Sequence, residues 1–125
     1  MSRELSIGVG HHGHVDCTVI TVVGDIDRNS SELLRETIEQ LVFDYRPRIV
    51  IDAGGITFCD STGLRILLSG ARLTAEAGGW LRLAGVSDVL KRLLQVTGLF
   101  TWFPVDPDVA ASLDHAARRD LQSPG

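Results

Sequence analysis

The sequence predicts an α/β fold: one domain with a mixed five-stranded sheet and four helices, in the order β-β-α-β-α-β-α-β-α. Two apolar runs near the N-terminus are separated by too few residues for a crossover, so they must pair as an antiparallel hairpin. After them, short strand-like runs alternate with apolar stripes of helical period, the pattern of parallel strands joined by crossover helices. A length of 125 residues suits a single core that needs no disulfide or metal staple.

Leu5, Ile7 and Val9 alternate with Glu4, Ser6 and Gly8, the period of a half-buried strand. Gly10-His11-His12-Gly13-His14 reads as a loop, and the second strand runs from Val15 to Val23. Gly24-Asp25-Ile26-Asp27 ends it, and Asn29, Ser30 and Ser31 offer caps to a helix with Leu34, Ile38, Leu41 and Val42 inward. Pro47 stops that helix ahead of a third strand, Ile49-Val50-Ile51, buried on both faces. Gly54 and Gly55 are expected to turn the chain toward Asp60-Ser61-Thr62-Gly63, which leads into a helix with Leu64, Leu67, Leu68, Ala71 and Ala75 on one face. Gly78-Gly79 closes this helix, and Leu81-Arg82-Leu83-Ala84 is the fourth strand. Ser87 or Asp88 opens a third helix, with Val89, Leu90, Leu93 and Leu94 inward and Gly98 at its end. Phe100-Thr101-Trp102-Phe103 reads as the fifth strand, ended by Pro104. Asp106 as cap and Pro107 at the first helical position start the last helix, with Val109, Leu113 and Ala117 inward. The domain is expected to occupy residues 1–119, with 120–125 as a disordered C-terminal tail.

Function concentrates at Asp60-Ser61-Thr62-Gly63. Asp, Ser and Thr accept hydrogen bonds from free N–H groups at a helix start, so taken alone the run is a cap. It also places hydroxyls at the positive end of a helix dipole, where a phosphate is well tolerated. The wider pattern adds to this: Gly24-Asp25-Ile26-Asp27, Ile49-Val50-Ile51-Asp52, Asp60-Ser61-Thr62-Gly63-Leu64, Leu81-Arg82-Leu83-Ala84-Gly85 and Leu93-Leu94-Gln95-Val96-Thr97-Gly98-Leu99, in that order. With these landmarks the chain resembles the STAS-domain anti-sigma factor antagonists of bacterial partner switching, over roughly Leu5 to Ala117. The resemblance implies a protein that binds an anti-sigma factor when unphosphorylated and so frees a sigma factor. It implies a serine kinase, the anti-sigma factor itself or a relative, that phosphorylates Ser61, and a serine phosphatase that reverses the step. Asp60, Thr62 and Gly63 would shape the docking loop, with Gly63 allowing close approach of the partner backbone. Asp25 and Asp27 are either partner contacts or simply the end of a strand and its turn. The alternative within the family is a STAS scaffold or a transport-system subunit in another assembly. The His-rich first loop is a departure that the family pattern does not require.

Other chemistries fit the sequence less well. Cys59 and Gly63 flank Ser61 where a hydrolase elbow would need two glycines, so a small serine hydrolase is disfavoured. No Gly-rich phosphate loop is present, so no cofactor is expected and the kinase must be another protein. His11, His12 and His14 carry metal-binding chemistry, but three His around a glycine more often form a solvated turn. Cys17 and Cys59 form no C-x-x-C pair and are expected to be buried thiols. A net charge of −4 without a basic stripe argues against direct nucleic-acid binding. No apolar run approaches the ~20 residues of a membrane span, and no signal-peptide pattern is visible, so a cytoplasmic protein is expected.

Overall fold

The computed structural model describes residues 3–122. Five strands form one sheet in the order β1-β2-β3-β4-β5, with β1 (Ser6–His12) antiparallel to β2 (Cys17–Ile26) and the remaining neighbours parallel. The crossover helices are α1 (Ser31–Phe43) between β2 and β3 (Arg48–Cys59), α2 (Ser61–Glu76) before β4 (Trp80–Ala84), and α3 (Asp88–Val96) before β5 (Val105–Asp106). They pack on one face of the sheet, where Leu34, Ile38, Leu64, Leu67, Leu90 and Leu94 meet Ile20, Val22, Ile49, Ile51 and Ile56. The last helix, α4 (Val109–Gln122), covers the other face through Ala116, above Val15, Cys17, Val19, Val50 and Ala84. Arg48 ties it down, donating to the Ala116 carbonyl at 3.3 Å while its guanidinium lies 5.3 Å from the Trp80 ring centre.

The expected fold class and element order hold, and the departures have local causes. His11 and His12 belong to β1, paired with Thr18 and Cys17, and only Gly13–Val15 form the connecting 3₁₀ turn. Val9, expected to be half-buried, is exposed, at the rim of an open hollow that it lines with Leu33, Thr37 and Leu41 of α1. Gly54 and Gly55 do not turn the chain; β3 runs through them to Cys59. A Cβ on Gly55 would lie 2.9 Å from Val23 Cγ2 and 3.1 Å from the Val22 carbonyl oxygen, so glycine there permits the close approach of the irregular β2–β3 ladder.

The buried line of α2 is Gly63, Leu64, Leu67, Gly70 and Thr74; Leu68 and Ala71 are half-buried and Ala75 is exposed. Val89 on α3 is exposed as well. Phe100–Trp102 form a 3₁₀ turn rather than a strand, with Phe103 buried beneath it. The fifth strand lies beyond Pro104, whose carbonyl accepts from the Leu83 N–H at 2.9 Å. Proline lacks a donor but keeps its acceptor, so it can serve the margin of a parallel ladder. Asp108, not Asp106, caps α4, accepting from the Ala111 N–H at 2.8 Å. The inward positions of α4 are Ser112 and Ala116, with Val109, Leu113 and Ala117 only half-buried. Helix α4 continues past Arg119 to Gln122, and residues 123–125 of the expected tail lie outside the described residues.

Candidate functional site

Strands β2 and β3 end together. Asp25 pairs with Phe58 and Ile26 with Cys59, and the Asp60 N–H donates to the Ile26 carbonyl at 3.2 Å. This register gathers Asp25, Asp27, Asp60, Ser61, Thr62 and Gly63 at one end of the sheet, where α2 begins.

Asp60 is the N-cap. Its backbone is extended, its Oδ1 accepts from the Gly63 N–H at 3.0 Å, and its carbonyl accepts from the Leu64 N–H at 3.0 Å. Ser61 and Thr62 are the first two helical residues, so their N–H groups point out at the positive end of the dipole. Ser61 is exposed, and its hydroxyl has no hydrogen-bond partner among the described residues; Thr62 is half-buried. Gly63 is buried, and a Cβ there would lie 2.9 Å from Cys59 Sγ and 2.6 Å from Ile26 Cγ2. Glycine therefore lets the first turn of α2 sit directly on the ends of β2 and β3, with Ser61 facing outward on a braced support.

Asp25 and Asp27 are both engaged in local structure. Asp25 accepts from the Thr57 hydroxyl at 2.5 Å and from the Arg3 N–H at 2.9 Å, joining β2 to β3 and to the N-terminal segment. Asp27 Oδ1 accepts from the N–H groups of Ser30 at 3.0 Å and Asn29 at 2.9 Å. These bonds, led by those from Ser30, hold the Asp27 carboxyl below the usual carboxylate range. The Ser30 hydroxyl donates to the Asp25 carbonyl at 2.7 Å, so one serine stitches both aspartates into the turn. Its sequence signal is a Ser three residues after an Asp. Thr57 carries no such signal, because 32 positions separate it from Asp25.

Among the described residues, none is hydrogen-bonded to the Ser61 hydroxyl to prepare it as a nucleophile. His11, His12 and His14 lie at the opposite end of β2, whose ten residues span roughly 30 Å. His115 is on α4, across the sheet. Burial, with the Asp60 charge adding to it, pushes the Cys59 thiol up to about 12, so it carries no thiolate at neutral pH. The His11 ring accepts or donates to the Thr18 hydroxyl at 2.9 Å, and His12 meets His14 edge-on at 6.2 Å. No three His, Cys, Asp or Glu among the described residues converge on a metal position. No helix among them is long and apolar enough to cross a membrane.

A family model described as "Mlab, STAS domain" matches residues 9–103. An anti-sigma F factor antagonist of Paenibacillus polymyxa is 28% identical over 103 residues, covering 82% of this chain and 86% of the relative. An anti-sigma-B factor antagonist of Listeria monocytogenes is 34% identical over 101 residues, covering 79% and 84%. Among solved structures, an anti-sigma factor antagonist from Mycobacterium paratuberculosis superposes with a TM-score of 0.78 at 27% identity, over 92% of this chain and 95% of that one.

Proposed function

The chain belongs to the STAS-domain anti-sigma factor antagonist family, and we propose that it works as a cytoplasmic partner switch controlled by phosphorylation of Ser61. Unphosphorylated, it binds an anti-sigma factor and releases the sigma factor. That anti-sigma factor, or a related serine kinase, transfers the γ-phosphoryl of ATP to the Ser61 hydroxyl, and the complex separates. A serine phosphatase resets it. The protein itself is the substrate and binder, not an enzyme.

The observation that carries this reading is the exposed, unbonded Ser61 hydroxyl on the rigid first turn of α2. A phosphate there adds about −1.5 to −2 charges. The helix N-terminus favours such charge by about 0.3–1 kcal/mol, and Asp60 opposes it, so the fold itself tolerates the modification. A partner surface shaped around a neutral hydroxyl does not, because it meets added volume and uncompensated charge. Asp60 and Thr62 flank the acceptor and contact the same partner. Gly63 acts from beneath, and Asp25 and Asp27 present the rim of the docking end.

The test is phosphorylation with ATP by the anti-sigma kinases encoded in the same genome, with the phosphopeptide mapped. Phosphate on Ser61, absent from Ser61→Ala, is expected. Phosphate on Thr62 alone would move the acceptor by one residue, and phosphate on neither would contradict the switch.

A further inference from the structure

The chain uses several of its arginines internally: Arg35 pairs with Glu32 and Glu39, Arg82 with Asp106, and Arg118 with Asp114. Arg65 and Arg72 are different. Both are exposed on α2, and neither has an ion pair or side-chain hydrogen bond among the described residues. They line an open groove of about 640 Å³ between α2 and the Phe100–Trp102 turn. Its floor is apolar: Leu68, Ala71 and Leu99 pack partly on the core, and Trp102 stands 70% exposed beside them.

We infer that this groove is a second docking surface for the partner that engages Ser61, and that its occupant is an acidic amphipathic helix of that partner. The inference rests on the switch reading of Ser61. Arg65 lies one helical turn beyond Ser61, so the groove continues from the docking end along the same helix. Arg65 and Arg72 are seven residues apart, about 10.5 Å along the axis. A helix packed alongside at about 8–10 Å would present carboxylates at positions i and i+7 to the two guanidinium groups. Its apolar stripe between them would cover Leu68, Leu99 and Trp102. Trp and Arg around a partly apolar floor are also the residue types that dominate interface energetics. A second copy fits poorly, because a two-fold contact would set the same cationic pair against itself. A polyanionic nucleic acid is disfavoured by the apolar floor and by the chain's net charge of −4.

The experiment uses the purified anti-sigma kinase that phosphorylates the full chain, titrated against wild type, the double variant Arg65→Glu/Arg72→Glu, Trp102→Phe and Ser61→Asp. The double variant is expected to bind at least tenfold more weakly and to lose most of the salt dependence seen for wild type, while its melting curve stays unchanged because both positions are exposed. Wild-type tryptophan emission should shift to the blue on binding, and Trp102→Phe should lose that shift. Binding of the double variant within twofold of wild type, with Ser61→Asp defective, would overturn the groove and leave the Ser61 reading intact. Failure of wild type to bind the kinase would overturn both. Self-association of wild type that the double variant abolishes would assign the groove to a second copy, against the inference.

Discussion

Asp106 and Asp60 each stand at the end of a parallel strand, and their surroundings differ in almost every respect. Asp106 faces Arg82 in a two-pronged pair, 2.7 Å to Nε and 2.9 Å to Nη2, and accepts from the Ser112 hydroxyl at 2.6 Å. Both charged side chains are only 12% exposed. Asp60 has no ion pair among the described residues; its side chain accepts from one backbone N–H, and its neighbour Ser61 stands in solvent. A largely enclosed carboxylate opposed by arginine ties β4, β5 and α4 together. A carboxylate that caps a helix leaves the adjoining hydroxyl exposed. Residue type and strand-end position are shared, so the opposing side chain decides which role the aspartate takes.

The largest effect that would break this contrast is expected at the lock. Asp106→Ala leaves the largely enclosed Arg82 guanidinium without its partner, and should cost about 1.5–3 kcal/mol in urea unfolding at neutral pH, the usual worth of hydrogen bonds to charged groups. The Arg82 hydrogen bonds depress the Asp106 carboxyl below its ordinary value of 3.8. Its contribution is therefore present above that value and is lost as pH falls through the lower folded one. The gap between wild type and variant should accordingly narrow when unfolding is repeated near pH 3. A gap independent of pH would mean that the pair is not what stabilises this corner.

At the other end, Asp60→Ala should cost about 1 kcal/mol, the usual loss on removing an N-cap. Thermal unfolding reads this directly, and a loss as large as at Asp106 would erase the distinction between cap and lock. The smallest effect belongs to the histidines, remote from both. Joint replacement of His11, His12 and His14 by Asn should change stability by no more than about 0.5 kcal/mol. It should also leave partner binding intact. Stoichiometric zinc or nickel binding that raises the wild-type melting temperature would contradict this.

The cap was legible in the sequence and the lock was not, for a physical reason. Capping is local: Asp60 and Gly63 are three residues apart, so the chain itself announces the bond. Arg82 and Asp106 are 24 residues apart and meet only once β4 and β5 pair. The inward stripe of Leu34, Ile38 and Leu41 could be read because helical burial repeats with a period visible in composition. Strand β5, only two residues long, has no period to read, and the apolar run Phe100–Phe103 drew the expectation to itself. Gly54 and Gly55 misled because glycine marks both a turn and a close approach of backbones, and only the neighbouring strand distinguishes them. The roles of Asp25 and Asp27 stayed open for the same reason: Ser30 and Thr57, which satisfy their carboxylates, come from the following turn and from the next strand.

The most direct measurement of the switch takes Ser61→Asp through two assays side by side, affinity for the cognate anti-sigma kinase and melting temperature. A charge on an exposed first-turn residue should leave the melting temperature within a few degrees of wild type. The same charge at the docking end should weaken binding by about a hundredfold or more, some 2.7 kcal/mol. Equal affinity of Ser61→Asp and wild type would contradict a switch at this residue.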